Sequence, residues 1–430
     1  MLLIYTQKIT PRITYIFKHI CLRILGIEVS FTSVVEELIA YNGPKLSYGK
    51  QPMGNEFFIQ SHGLLLQQGF ESEDIIVKPW EDTKCFFSVS DKSALPFDIF
   101  SASFYLLSRY EEYLPHVKDE IGRFPATESL GFTEGFLKQP VVDIWAYKFK
   151  DVLLESFPSL LFPSKKIIIH NIVQAREPFA YRQKGFFRST IGFANDIFNF
   201  RIKNLTKRTR VILGLMKDPY NTFNWLIATI KKNKVKLSVF FLLGEATVFE
   251  ESLNTNRKKF RMLIKFISDY KEVGLVFSFA SLKDNELQKK EKLQMEDITN
   301  RSLKSSINDQ YLVNLPDIYR NLVEIEIEND FTMFYDKIVG FRAGTCTPFL
   351  FYDLDYEIKT PLKIHPVSIT TNAFKGKNTD EINKTVDEVL ASVEKVNGTF
   401  TILFSNKDFY ASEENKIWRT LFSEKLQQYE

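Results

Sequence analysis

The sequence predicts an α/β protein: strands alternating with helices around a mostly parallel sheet, open or closed into a barrel, preceded by a smaller α/β domain. Three observations carry this expectation. Short apolar runs such as Ile167–Val173, Lys236–Leu243 and Thr399–Phe404 recur through the second part of the chain. Stretches with apolar residues at helical spacing separate them. Pro158–Lys166, with its prolines, serines and lysine pair, has the composition of a boundary.

Taken in order, Leu2–Tyr5 reads as a strand. Pro11–Leu25 follows as a helix, with Ile13, Ile16, Phe17, Ile20 and Ile24 on one face before Gly26. Ile27–Phe31 alternates like a second strand. Pro96–Leu114 forms a helix from the stripe Phe97, Phe100, Phe104 and Leu107, ending at Glu111–Glu112–Tyr113, and Asp143–Phe157 is a third helix. These elements define a domain over residues 1–160. Residues 161–430 hold strands at Ile167–Val173, Lys236–Leu243, Gly274–Ser281, Ile338–Ala343, Leu362–Ile369 and Thr399–Phe404. Helices at Thr222–Lys232, Arg257–Tyr270, Glu286–Leu303, Pro316–Glu328 and Thr379–Lys395, and one near the C-terminus, lie between or after them. No fixed-period repeat is present.

Composition narrows the function. An apolar fraction of 44% over 430 residues allows a large core, and 56 basic against 53 acidic residues gives no support for nucleic-acid binding. The cluster RIKNLTKRTR at Arg201–Arg210 is the local exception. A solvated helix face is its simpler reading, and an anionic glycan or lipid head group the alternative. Forty Phe and eighteen Tyr read first as core. Cys21, Cys85 and Cys346 are dispersed, as in a reducing compartment, and Lys, Pro and Arg interrupt the apolar runs of the first twenty residues. A cytoplasmic protein without a transmembrane segment is expected.

Ligands of such folds bind where strand-to-helix loops converge. The segment richest in chemistry is Gly340–Pro366, GFRAGTCTPFLFYDLDYEIKTPLKIHP. Arg342 suits a carboxylate, Asp353 and Asp355 could accept its fork or orient an imidazole, and His365 could shuttle a proton. The alternative is a brace between Arg342 and an acid, with His365 structural. Cys346 or Thr345 beside Asp353 lacks a G-x-S-x-G elbow and reads better as packing.

This segment, with LPFDIFSASFYLLSRYEEYLP at Leu95–Pro115 and QPVVDIWAYKF at Gln139–Phe149, resembles the bacterial polysaccharide deacetylase family, in a long form with an added N-terminal domain. The resemblance implies a distorted (β/α) barrel that removes acetyl from an N-acetylated sugar. It also implies a divalent metal such as zinc, an Asp base and a late-strand His acid. Carried onto this chain, the motifs fail at the chemistry. Gln174 and Arg176 stand at the Thr–x–Asp–x–Asp acids, Val276 at the first metal His, and Ser405 at the His of Leu–x–His. Gln174 is no base, and a guanidinium does not coordinate a cation. The remaining histidines, His19, His62, His116, His170 and His365, show no compact zinc spacing. His170 is a remote alternative ligand.

The expectation is therefore a deacetylase-like protein without metal, cofactor or catalysis, which binds a glycan or glycan precursor or scaffolds an envelope-polysaccharide pathway. The alternative is a hydrolase that deacetylates an N-acetylated sugar through an altered site. Phe277, Phe279, Phe349 and Tyr352 are candidates for stacking on sugar, though filling a core is their simpler reading. Arg176 is expected to pair with Asp353 or Asp355 in place of a metal. Arg109, Glu111 and Glu112 are read as helix-end salt bridges of the N-terminal domain, with a functional surface there the alternative.

Overall fold

The computed structural model of the chain describes residues 1–232, 236–244, 253–254 and 257–429. Two sheets organise it. In the first, β1 (Leu2–Tyr5), β2 (Val29–Thr32), β3 (Lys45–Gly49) and β4 (Phe58–Gln60) pair in parallel in the order β2-β1-β3-β4. The four residues of β1 are buried, and the helix Pro11–Phe17 follows it. Pro11 sits in that helix's first turn, where a missing N–H costs nothing, and the Thr10 hydroxyl accepts from Ile13 N at 3.1 Å. The chain then winds as a π-helix over Lys18–Ile24. A small antiparallel pair, β5 (Lys78–Trp80) and β6 (Thr83–Cys85), precedes the helices.

The second sheet contains β7 (Ile168–Ala175), β8 (Lys236–Gly244), β9 (Leu253–Asn254), β10 (Glu272–Phe277), β11 (Ser305–Asn308), β12 (Asn329–Asp330), β13 (Phe349–Asp353), β14 (Ile358–Ile364), β15 (Ile369–Thr370) and β16 (Thr399–Ser405). Its order is β13-β14-β12-β11-β10-β8-β7-β16-β15, with β9 beside β8. Every pair is parallel except β13 with β14. The expected barrel is not closed by strand pairing among the described residues. The chain bridges the two sides instead: β14 pairs with β12, and after residues 365–368 β15 pairs with β16.

Along β7 the faces alternate. Ile172 joins an inner apolar cluster with Phe240, Leu242, Val276, Ile307, Phe331 and Leu403, whereas Val173 joins a larger cluster running from Leu2 to Leu426. That larger cluster spans the boundary expected at 158–166, so both sheets share one apolar body.

Three expected elements differ. Ile338–Ala343 is irregular, because Gly340 has φ +148° and a Cβ there would lie 2.5 Å from the Leu137 carbonyl oxygen. Leu362–Ile369 is split around Pro366, which has no N–H to donate to a ladder. The helix expected over Pro96–Leu114 runs only Ile99–Leu107, N-capped by Asp98, then breaks at left-handed Arg109 (φ +54°) before the single turn Tyr110–Tyr113.

Candidate functional site

A cleft of about 530 Å³ opens at the C-terminal ends of β7 and β16, and Gln174, Arg176 and Ser405 all line it. The alternation that sends Ile172 inward puts Gln174 on the same face, and Ser405 stands opposite it in register on β16. The sequence alignment thus brings together three of its four altered positions. The fourth, Val276, is fully buried in the apolar cluster on the inner face.

Loops after other strands complete the cleft. Arg176 pairs with Asp309 at 3.0 Å, just past β11. The Tyr311 hydroxyl donates to Gln174 Oε1 at 2.6 Å, and burial pushes that phenol's pKa up. Asn372 Nδ2 donates to Asp336 Oδ2 at 2.6 Å. Ser405 N–H donates to Asp408 Oδ2 at 2.7 Å, and the Thr371 hydroxyl donates to the same oxygen at 2.7 Å. Burial raises the Asp408 carboxyl, and these two donors oppose the rise. Glu177 takes Lys407 at 2.5 Å and Lys184 at 3.0 Å. Three buried polar atoms of lining residues have no protein partner: the donor Gln174 Nε2 and the acceptors Asp336 Oδ1 and Asn406 Oδ1.

Asp309, Tyr311, Asp336 and Asp408 were not legible as site residues. Only Asp408 left a local signal, the capping-box spacing Ser405–Asp408. The expected partners of Arg176 are corrected. Asp353 and Asp355 instead bind Arg320, at 2.6 and 2.8 Å, at the β13 edge of the sheet. Arg342 does hold a carboxylate, but an internal one. Its Nε and Nη2 meet Glu112 Oε1 and Oε2 at 2.9 and 2.7 Å.

Arg109 forms the expected helix-end salt bridges, but it is buried and not at the surface. It contacts Glu112 at 2.8 Å, Glu111 at 2.6 Å and the Arg342 carbonyl oxygen. Thr345 and Cys346 are anchored by buried Asp143, which accepts from the Thr345 hydroxyl at 2.7 Å and Cys346 N at 2.9 Å. His365 stacks on Phe331 at 4.3 Å and contacts Asn329 at 2.9 Å. His170 lies 6.4 Å away, beside Ser238 at 2.9 Å, at the level where β8 begins. Burial and nearby Lys236 lower both imidazoles, to about 3 for His365 and about 2 for His170, so both rings are neutral at pH 7.

Of the four candidates for sugar stacking, three fill the core instead. Phe277, Phe349 and Tyr352 are buried, with Tyr352 packed on Tyr15 and Phe104. Phe279 faces Lys283, whose ammonium lies 5.0 Å from its ring. The aromatics that line the cleft are Tyr311, Phe374, Phe404 and Trp418.

The residues present do not fit a divalent cation. A guanidinium, a buried valine and a serine occupy the positions that the resemblance assigns to acid and imidazole. Among the described residues, no three His, Cys, Asp or Glu side chains form a group that could hold a metal.

Comparison with known proteins adds little beyond architecture. Residues 2–158 match the model of a family of unknown function, DUF7033. No curated protein matches. Among solved structures, a candidate polysaccharide deacetylase from Mycobacterium smegmatis aligns at 11% identity and TM-score 0.39, over 62% of this chain and 86% of that one. A CE4 family pseudoenzyme from Bacillus anthracis aligns at 11% identity and TM-score 0.32, over 62% of each chain. A 4-alpha-glucanotransferase from Thermococcus litoralis aligns at 11% identity and TM-score 0.35, over 62% of this chain but 37% of that one. The chain thus spans less than two thirds of the length of these last two. Likeness at this level leaves function to the geometry of the cleft.

Proposed function

We propose that the chain is a deacetylase-type protein of carbohydrate metabolism that binds a glycan or glycan precursor in the strand-end cleft without hydrolysing it. In this reading residues 161–430 carry the cleft, residues 1–160 brace it, and the protein works in the cytoplasm. The carrying observation is the group of unpartnered buried atoms, Gln174 Nε2, Asp336 Oδ1 and Asn406 Oδ1, in one polar cleft. Buried polar atoms are satisfied in nearly all folded proteins, so a donor and acceptors left open in the same cleft favour a ligand that both donates and accepts. A sugar hydroxyl donates and accepts.

The arrangement favours binding over catalysis. The Arg176–Asp309 pair puts a fixed cation where the family resemblance asks for a ligand carboxylate, so no Lewis acid polarises an amide there. Gln174 cannot take a proton from water, and the Ser405 hydroxyl is turned into its own loop, accepting from Lys407 N at 3.3 Å. Neither group can serve as a general base or acid.

Titration calorimetry with chitin-type oligosaccharides and their deacetylated counterparts, with acetate release followed in parallel, tests this. Binding without acetate, weakened about tenfold or more by Asp336→Asn or Gln174→Leu, is expected, since a buried hydrogen bond left unmade costs about 1–3 kcal/mol. Steady acetate release would overturn the non-catalytic reading. Unchanged affinity in both variants would overturn the assignment of the cleft.

A further inference from the structure

Between β7 and the helix Phe223–Lys232 the chain forms a helical hairpin, Gly185–Phe198 and Ile202–Ile212, that the cleft chemistry does not use. Its composition is one-sided. The only acid in residues 185–216 is Asp196, against Arg188, Arg201, Lys203, Lys207, Arg208 and Arg210. Asp196 is buried and pairs with Arg208 at 2.9 Å. That pair ties the two helices together, with Arg208 packed against Gly192, where a Cβ would lie 2.4 Å from its Nη1. Arg201, Lys203, Lys207 and Arg210 are exposed, and none forms an ion pair with a described carboxylate.

The tip is apolar. Phe198 and Phe200 are 82% and 87% exposed, flanked by exposed Ile197 and Ile202, with Ile191 on the same helix as Ile197. Phe200 also holds a left-handed backbone, φ +52°, which a bulky residue adopts at a cost and which Asn or Gly would take more easily. A water-facing turn gains nothing from phenylalanine there.

We infer that this hairpin is an interfacial docking element for an anionic membrane surface. Aromatic and branched side chains at the tip enter the acyl boundary, and the surrounding cations engage lipid phosphates. It would lie on the bilayer, since no described helix is long and apolar enough to cross one. Charge complementarity selects the anionic bilayer: an apolar tip ringed by unpaired cations matches it, whereas a protein groove for the same tip would need a matching acidic rim. The hairpin is also joined to the cleft. Asn406, in the cleft lining, donates to the carbonyls of Glu177 at 3.0 Å and Tyr220 at 2.9 Å, clamping both strands of its stem. Docking would therefore hold the cleft close to the lipid surface.

Vesicle co-sedimentation of the full chain tests this, using phosphatidylcholine vesicles with and without phosphatidylglycerol. Wild-type protein is expected to pellet with the anionic vesicles only, and to be released by ~0.5 M salt, which shortens the screening length to a few ångströms. F198S/F200S should lower the partition coefficient about tenfold or more. K203Q/K207Q/R210Q should lower it about fivefold per charge. Both sets alter exposed side chains, and unchanged circular dichroism confirms that the variants fold. No pelleting at low salt, or pelleting unaffected by both variants, overturns the inference. So does a concentration-dependent dimer that F198S/F200S dissolves without any vesicle binding, since the tip would then contact a second copy.

Discussion

Replacing Glu112 by glutamine removes the carboxylate that two buried guanidiniums share. Arg342 holds it through Nε and Nη2 at 2.9 and 2.7 Å, and Arg109 through Nε at 2.8 Å. After the change Arg109 keeps Glu111 at 2.6 Å, but Arg342 retains no carboxylate, only the Phe334 carbonyl at 3.3 Å. Removing one partner of a buried pair costs about 3–5 kcal/mol, and the surviving Arg109–Glu111 contact places the loss near the lower end, about 3 kcal/mol. Urea denaturation at neutral pH measures it. The double variant Glu112→Leu/Arg342→Met, which removes the stranded cation, should recover at least half. The pH dependence gives a second check. Burial opposes ionisation of Glu112, but Arg342 and Arg109 outweigh it and hold the carboxyl below its ordinary range. Its stabilisation is therefore complete above the unfolded-state value of about 4.3 and is lost as pH falls through the folded value. The gap between wild type and Glu112→Gln should begin to narrow as pH falls below about 4.3 and continue to narrow down to the folded-state value. A variant within ~0.5 kcal/mol of wild type at neutral pH, or a gap that persists in acid, would refute the reasoning.

Three further outcomes are expected. The ring resonances of His170 and His365 should stay constant in NMR spectra between about pH 5 and 8, because burial keeps both imidazoles neutral; a midpoint in that window would restore a proton-transfer role. Val276→His should destabilise by about 2–4 kcal/mol in denaturant titrations, since it buries a polar ring among Ile172, Phe240, Ile307 and Phe331. Recovery of that loss on adding zinc would show that a metal site lies within reach. Asp143→Asn should cost about 1–3 kcal/mol and speed hydrogen exchange at the Cys346 amide, because one amide oxygen replaces two carboxylate oxygens that serve Thr345, Cys346 and Thr347. Unchanged exchange would mean that the loop is held by packing alone.

What was legible followed burial. β7, β8, β10 and β16 are covered on both faces, so they read as continuous apolar runs. β11 is Ser–Ser–Ile–Asn and β12 is Asn–Asp, too short and too polar to show any period. The candidate site divided in the same way. Gln174, Arg176 and Ser405 were found through the family resemblance, whose motifs fall at the ends of strands with a strong pattern. Asp309, Tyr311 and Asp336 stand in loops after weak strands and meet the cleft only through topology. The Arg201–Arg210 cluster was visible from composition, but its exposed aromatic neighbours Phe198 and Phe200 were not, because apolar residues in a helix are expected to face a core.

Residues in the segments that carried the family resemblance share a physical role as braces of the fold. Glu112 lies in the Leu95–Pro115 segment, Asp143 in Gln139–Phe149, and Arg342, Thr345 and Cys346 in Gly340–Pro366. The hydrogen bonds above join the first segment to the third and the second to the third. These are the braces that hold the irregular loop before β13 against the N-terminal helices. Each is a buried charge or polar group whose partner sits some two hundred residues away, so changing one alone strands the other at a cost of several kcal/mol. Arg176 and Ser405 carry less of that penalty, because they are half-buried at the cleft, where a new side chain can find water or a new partner. Asp309 is that partner for Arg176. A chain under these constraints can vary its cleft residues one at a time and still keep every brace, so a resemblance carried by the brace segments says little about the chemistry of the cleft.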